Sequence, residues 1–203
     1  MQKHTARRGG KDMEDMGYTN MEAVIRNVSS KGLLVKDTKS RASGHSGEVI
    51  GTLDSYKLSL LFYLAHVTKN MDAASDDPSE IPPRYYFGGY GNITEDFGVT
   101  QPTKTVAQQI FAGERDLDGY VESRYLHGRQ QVGKALRELQ SMGIVKCVRR
   151  ANSYQNINSV WILLIGTQEE NATVERLAER HLAYIDRMRN KPRGFAGMID
   201  ETN

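Results

Sequence analysis

One run constrains the fold of this chain more than any other: residues Ser123 to Ile165, SRYLHGRQQVGKALRELQSMGIVKCVRRANSYQNINSVWILLI. Within it Val132, Ala135, Leu136, Leu139 and Met142 recur at three- and four-residue steps, so one face of a helix over 128–142 is apolar. The other face carries Arg129, Gln130, Gln131, Lys134, Arg137 and Glu138. Gly143 should end the helix, because glycine takes the left-handed cap without steric cost. The apolar run Ile144 to Val148, then Arg149, Arg150 and a polar loop, lead to a second run from Val160 to Ile165. Two β runs about a turn-rich loop predict a hairpin. A polar-faced helix, a glycine turn and a hairpin with a basic tip are thus expected in direct succession.

Charge is distributed in keeping with that expectation. The whole chain is close to neutral, with 27 Lys and Arg against 25 Asp and Glu and a net charge of +2. Between Val121 and Arg150, however, seven cations face two carboxylates, a local excess of +5. Cations gathered on one helix and its adjoining hairpin are what binding to a phosphate backbone requires.

The sequence of this module is similar to the recognition helix and wing of the winged helix-turn-helix superfamily. VGKALRELQSMGIVKCVRR carries the likeness, as a helix with a Leu-x-x-Leu-like core face stepping through Gly-Ile-Val into an arginine-bearing strand. The likeness covers about a quarter of the chain, and the shape also resembles winged-helix proteins of phages, plasmids and other mobile elements. It implies an α+β fold with a winged helix-turn-helix core. It further implies a non-enzymatic, sequence-specific binder of double-stranded DNA acting as a transcriptional regulator. One alternative is a plasmid or phage replication initiator; another is a protein-interaction module on the same scaffold. On the DNA-binding reading Arg129, Gln130, Gln131 and Lys134 sit at the start of the reading helix and address bases, where arginine suits guanine and glutamine suits adenine. Arg124, Arg137, Arg149 and Arg150 address phosphates, or the minor groove at the wing tip.

The rest of the chain is organised around this module. Residues 1–20 form a polar, basic tail expected to be disordered. The domain proper is expected over 21–166, beginning with short strands at 23–28 and 32–35 that form a small hairpin and another strand at 48–53. Asp54 should cap a helix from Ser55 to about Thr68, apolar on every side and therefore buried. Residues 70–89 read as a long loop interrupted by prolines. The aromatic group Tyr85, Tyr86, Phe87 and Tyr90 can dock that loop on the core or stack on bases.

A short helix is expected over 92–99, with Phe97 inward and Gly98 closing it. About 25 residues then separate Gly98 from Arg124, where a compact helix-turn-helix has three or four. This is a long insertion. Its segment 103–111 (TKTVAQQIF), with Val106, Ala107 and Ile110 inward, competes with 128–142 as the reading helix, and 113–119 reads as an exposed acidic loop. A C-terminal amphipathic helix is expected over 167–190, with a heptad seam at Val174, Leu177, His181, Tyr184 and Met188. That seam either folds back on the core or joins two copies through 174–188; residues 191–203 read as a flexible tail.

Other chemistries find little support. Gly128 to Ala135 falls one residue short of a phosphate-binding loop, since Ala135 stands where serine or threonine would hold magnesium. His4, His45, His66, His127 and His181 show no metal-ligand spacing, so neither metal nor cofactor is expected. The lone Cys147 lies in an apolar strand, as a buried structural thiol would. No apolar run approaches the roughly 20 residues of a membrane span, and no signal core is visible, which points to the cytoplasm.

Overall fold

The computed structural model describes residues 17–39 and 47–190. Residues 1–16 of the expected basic tail (1–20) and the flexible tail (191–203) lie outside the described residues. The chain begins with helix α1, Tyr18–Val24, which continues through a π-helical turn at Ile25–Ser29. Asn20, Val24 and Val28 are buried at a spacing of four, a helical stripe. Two expectations are corrected here. The tail does not reach residue 20, and 23–28 is not a strand, because its apolar residues face the core only when the backbone is helical. Gly17 adopts a φ of +74°, and any side chain there would collide with the backbone of His66.

Strand β1, Val35–Lys39, pairs antiparallel with β2, Val49–Leu53, in the register Val35↔Leu53. The strand expected at 48–53 is therefore present, but its partner is 35–39 rather than a hairpin built from 23–35. Asp54 accepts a hydrogen bond from the Lys57 amide and caps α2, Ser55–Val67, whose Leu60, Leu61, Leu64 and Ala65 are fully buried.

The stretch after α2 is less irregular than expected. Tyr85–Tyr86 forms β3 with both rings buried, so these two tyrosines anchor the loop, whereas Phe87 of the aromatic group is exposed. Arg84, at φ +55° and 2% exposed, ties the region together. Its Nε donates to Asn20 Oδ1 at 3.0 Å, and its Nη2 meets Glu170 Oε2 at 3.2 Å. Asn20 Nδ2 in turn donates to the Lys69 carbonyl at 2.9 Å.

Helix α3, Gly89–Asp96, begins three residues before the expected 92–99 segment and ends through Phe97, which packs edge-on against Tyr56 and Tyr63. Helix α4, Lys104–Phe111, has no buried residue: Val106 and Ile110 are half-buried, Ala107 is exposed and Phe111 is 96% exposed. Helix α5 is much longer than expected, Leu117–Ser141, with Asp116 capping it through the Gly119 amide at 2.6 Å. The acidic loop is correspondingly short, because Asp116 accepts an orphan amide of the first turn and starts the helix there. Gly143, at φ +73°, ends α5, and the Ile144 amide reaches back to the Leu139 carbonyl.

Strands β4, Val145–Arg149, and β5, Val160–Leu163, follow as the expected hairpin. The sheet order is β3–β5–β4, antiparallel throughout. Tyr86, Trp161, Leu163 and Val145 face the core built with α2 and α5. Tyr85, Val160 and Ile162 face α6, Gln168–Arg189, and pack on its Val174, Ala178 and Leu182. The seam at 174–181 is thus buried against the chain's own sheet, whereas Tyr184 is half-buried and Met188 exposed. The described chain is α+β, with helices on one face of the three-stranded sheet and one helix on the other. None of its helices is long and apolar enough to cross a membrane.

Candidate nucleic-acid interface

Helix α5 presents its outer face between two neighbours, the β1–β2 hairpin on one flank and the β4–β5 finger on the other. At about 100° per residue, Gln130, Lys134, Arg137 and Ser141 fall on the line pointing away from the buried Val132, Leu136 and Leu139. Arg129, Gln130, Gly133 and Arg137 line a shallow hollow with Tyr90. Arg137 and Tyr90 also border a neighbouring cleft of about 490 Å³, completed by Gln140, Arg150, Ser159 and Trp161. Arg129, Arg137 and Arg150 therefore share one continuous surface running from mid-helix to the finger base.

None of these three arginines has a carboxylate within ion-pair distance among the described residues. Arg129 lies over the Tyr125 ring, 5.6 Å from its centre, an arrangement that holds the guanidinium without neutralising it. Lys134 stands 3.9 Å from Glu138, but that carboxylate is already held by Lys57 at 2.6 Å. Burial pushes the half-buried Cys147 thiol up, and its Sγ donates to the Arg149 carbonyl at 3.2 Å. It is a packing group beneath the cleft rather than a nucleophile.

Not every expected residue joins this surface. Arg149 lies on the other face of the sheet, its Nη2 2.6 Å from Asp186 on α6. The cause is a bulge between Cys147 and Arg149, which adds Val148 to β4 and turns Arg149 opposite Val160. The same irregularity leaves Arg150 on the α5 side. Arg124 is half-buried and donates from Nε to the Val99 carbonyl at 3.2 Å, bracing the chain after α3. Gln131 turns to the opposite flank, where it borders a hollow with Lys36 and Lys57. Arg129 to Lys134 occupy the middle of α5, not its start, because the helix begins at Leu117. The finger tip is neutral: Asn152 to Asn158 carries no charge, and Tyr154 there is completely exposed. The basic tip expected from sequence is therefore a basic base.

Gly128 to Ala135 is uninterrupted helix, so its amides are committed to helical hydrogen bonds and form no phosphate-binding loop. Among the described residues no cluster of three or more His, Cys, Asp or Glu is arranged to hold a metal ion. No local pattern around Trp161 marks it as a cleft residue. Its indole is 3% exposed, and its Nε1 has no hydrogen-bond partner. Comparison with protein-family models, with curated proteins and with solved structures finds no significant match to this chain.

Proposed function

We propose that this chain is a winged helix-turn-helix protein that binds double-stranded DNA sequence-specifically and regulates transcription. The carrying observation is the row Arg129, Arg137 and Arg150, free of carboxylate partners among the described residues and continuous from α5 to the base of the β4–β5 finger. Support for the scaffold comes from the succession α2, β3, α3, α5, β4, finger, β5 and from the β3–β5–β4 order, with α4 as an insertion. In this reading α5 enters the major groove, where Arg129 and Gln130 meet base edges. Arg137 and Arg150 bind phosphates, and Tyr154 follows the backbone. Arg149 and Arg124 hold the frame and make no contact with the duplex.

Titration with random-sequence duplex at 50–200 mM salt tests the reading. Each phosphate contact contributes about −0.9 to the slope of log K against log salt. Arg137→Ala and Arg150→Ala should each flatten that slope by about 1, whereas Arg149→Ala leaves it unchanged. Absence of duplex binding at low salt, or slopes indifferent to both substitutions, refutes the proposal. A selected target lying upstream of promoters supports the regulatory role; direct repeats in a replication origin refute it.

A further inference from the structure

Across the sheet from the arginine row lies a cavity of about 380 Å³, within the range of small-molecule pockets. Phe87, Val160 and Ile185 give it apolar walls, and Ile157 and Asn158 of the finger close one side. Polar groups converge on this space and stay unspent. Tyr85 lines it while being only 5% exposed, and its hydroxyl makes no hydrogen bond among the described residues. Burial pushes that phenol up to about 12, so it is a neutral donor at physiological pH. Arg149 spends Nη2 on Asp186 and the Leu182 carbonyl, which leaves Nε and Nη1 without partners among the described residues. Arg189 also lines the cavity, and no lining residue is acidic. His181 is fixed by the Pro78 carbonyl 2.9 Å from its Nδ1.

We infer that this cavity binds a small organic monocarboxylate with an apolar body, held by the Arg149 guanidinium and the Tyr85 hydroxyl. Charge selects the class: Arg149 and Arg189 against Asp186 leave one positive charge in excess, which matches a monoanion. The free Nη1 of Arg149 can give a carboxylate oxygen one charge-assisted hydrogen bond, and the phenol supplies a further donor. Phe87, Val160 and Ile185 then take up the hydrocarbon. Asn158 Nδ2 donates to the Phe87 carbonyl at 3.3 Å, so the ligand would sit directly beneath the finger. The inference does not depend on the DNA-binding reading.

Calorimetric titration of the full chain with 3-phenylpropionate and with octanoate, without DNA, is the test; 3-phenylpropan-1-ol and octan-1-ol are the neutral controls. At least one carboxylate should bind with a Kd below about 1 mM and at least tenfold more tightly than its alcohol. Tyr85→Phe, which keeps the packing, should weaken it about three- to tenfold by removing one hydrogen bond. Ile185→Trp, checked for native circular dichroism, fills the cavity and should abolish binding. Failure of both carboxylates to bind the wild-type chain overturns the inference, as does equal binding of acid and alcohol. Unchanged binding by a folded Ile185→Trp variant overturns it as well.

Discussion

Replacing Gly128 by alanine sets two well-separated effects against each other. Gly128 lies inside α5, where alanine is intrinsically favoured by about 1 kcal/mol. Against this, an alanine Cβ would overlap Thr94 Cγ2 on α3 and stand 3.2 Å from Val99 Cγ1. Thr94 cannot easily yield: it is fully buried, and its Oγ1 donates to the Tyr90 carbonyl at 2.8 Å, so rotating the side chain breaks that bond. Overpacking costs about 1–3 kcal/mol, and against a side chain that cannot yield the upper part of that range, about 2–3, applies. Gly128→Ala should therefore lower stability by about 1–2 kcal/mol once the propensity gain of about 1 is deducted. Gly133 provides the control. Its added Cβ would lie 3.1 Å from the edge of the half-exposed Tyr90 ring, which can move aside. Gly133→Ala should leave stability unchanged or raise it by up to about 1 kcal/mol. Urea unfolding at constant m-value measures both variants. A Gly128→Ala protein as stable as wild type would mean that α3 and α5 do not cross at this glycine, and the placement of the arginine row would fall with that crossing.

Other perturbations probe the frame of the molecule. Asn20→Ala strips the buried Arg84 Nε and the Lys69 carbonyl of their partner, and should cost about 2–4 kcal/mol in urea unfolding; a loss below about 1 kcal/mol would show that the amide is dispensable. Acid sensitivity should trace to Lys57. Its hydrogen bond holds the Glu138 carboxyl below 4.5 against a smaller burial effect. Burial opposes the same shift at Asp54, but bonds from Lys57 and Lys36 still hold that carboxyl below 3.8. With folded values depressed, this stabilisation is complete above the unfolded carboxylate range and is lost as pH falls through the folded values. Lys57→Met should thus show a smaller drop in urea midpoint between pH 7 and pH 3 than wild type, and an equal drop would refute the assignment. Arg149→Ala should destabilise the packing of α6 on the sheet, seen as a lower thermal midpoint, because it leaves Asp186 without its partner.

The residues that sequence placed well are those whose pattern is local. The apolar steps Val132, Leu136 and Leu139, the cap at Asp54, the stop at Gly143 and the two β runs of the finger each follow from a few neighbouring side chains and backbone geometry. Residues 117–127 gave no such signal, since only Tyr120 among them is buried, and the helix start there was hidden in a polar stretch. Val24 and Val28 were open to either period because so short an apolar run fits a strand or a helix equally well. Burial against α2 decided for the helix.

Which cations share a surface was decided by tertiary structure alone. Arg149 and Arg150 are adjacent in sequence, yet one residue of bulge sends the first to α6 and the second to α5. A strand alternates faces at every residue, so a single unpaired position reverses the destination of a side chain. Likewise the seam of α6 was written in the sequence, but whether it met a second copy or its own sheet depended on Tyr85, Val160 and Ile162, which come from separate parts of the chain. Local pattern fixed the elements and their apolar faces. Contacts between residues distant in sequence fixed which faces remain open, because exposure is a property of the packed chain and not of any segment within it.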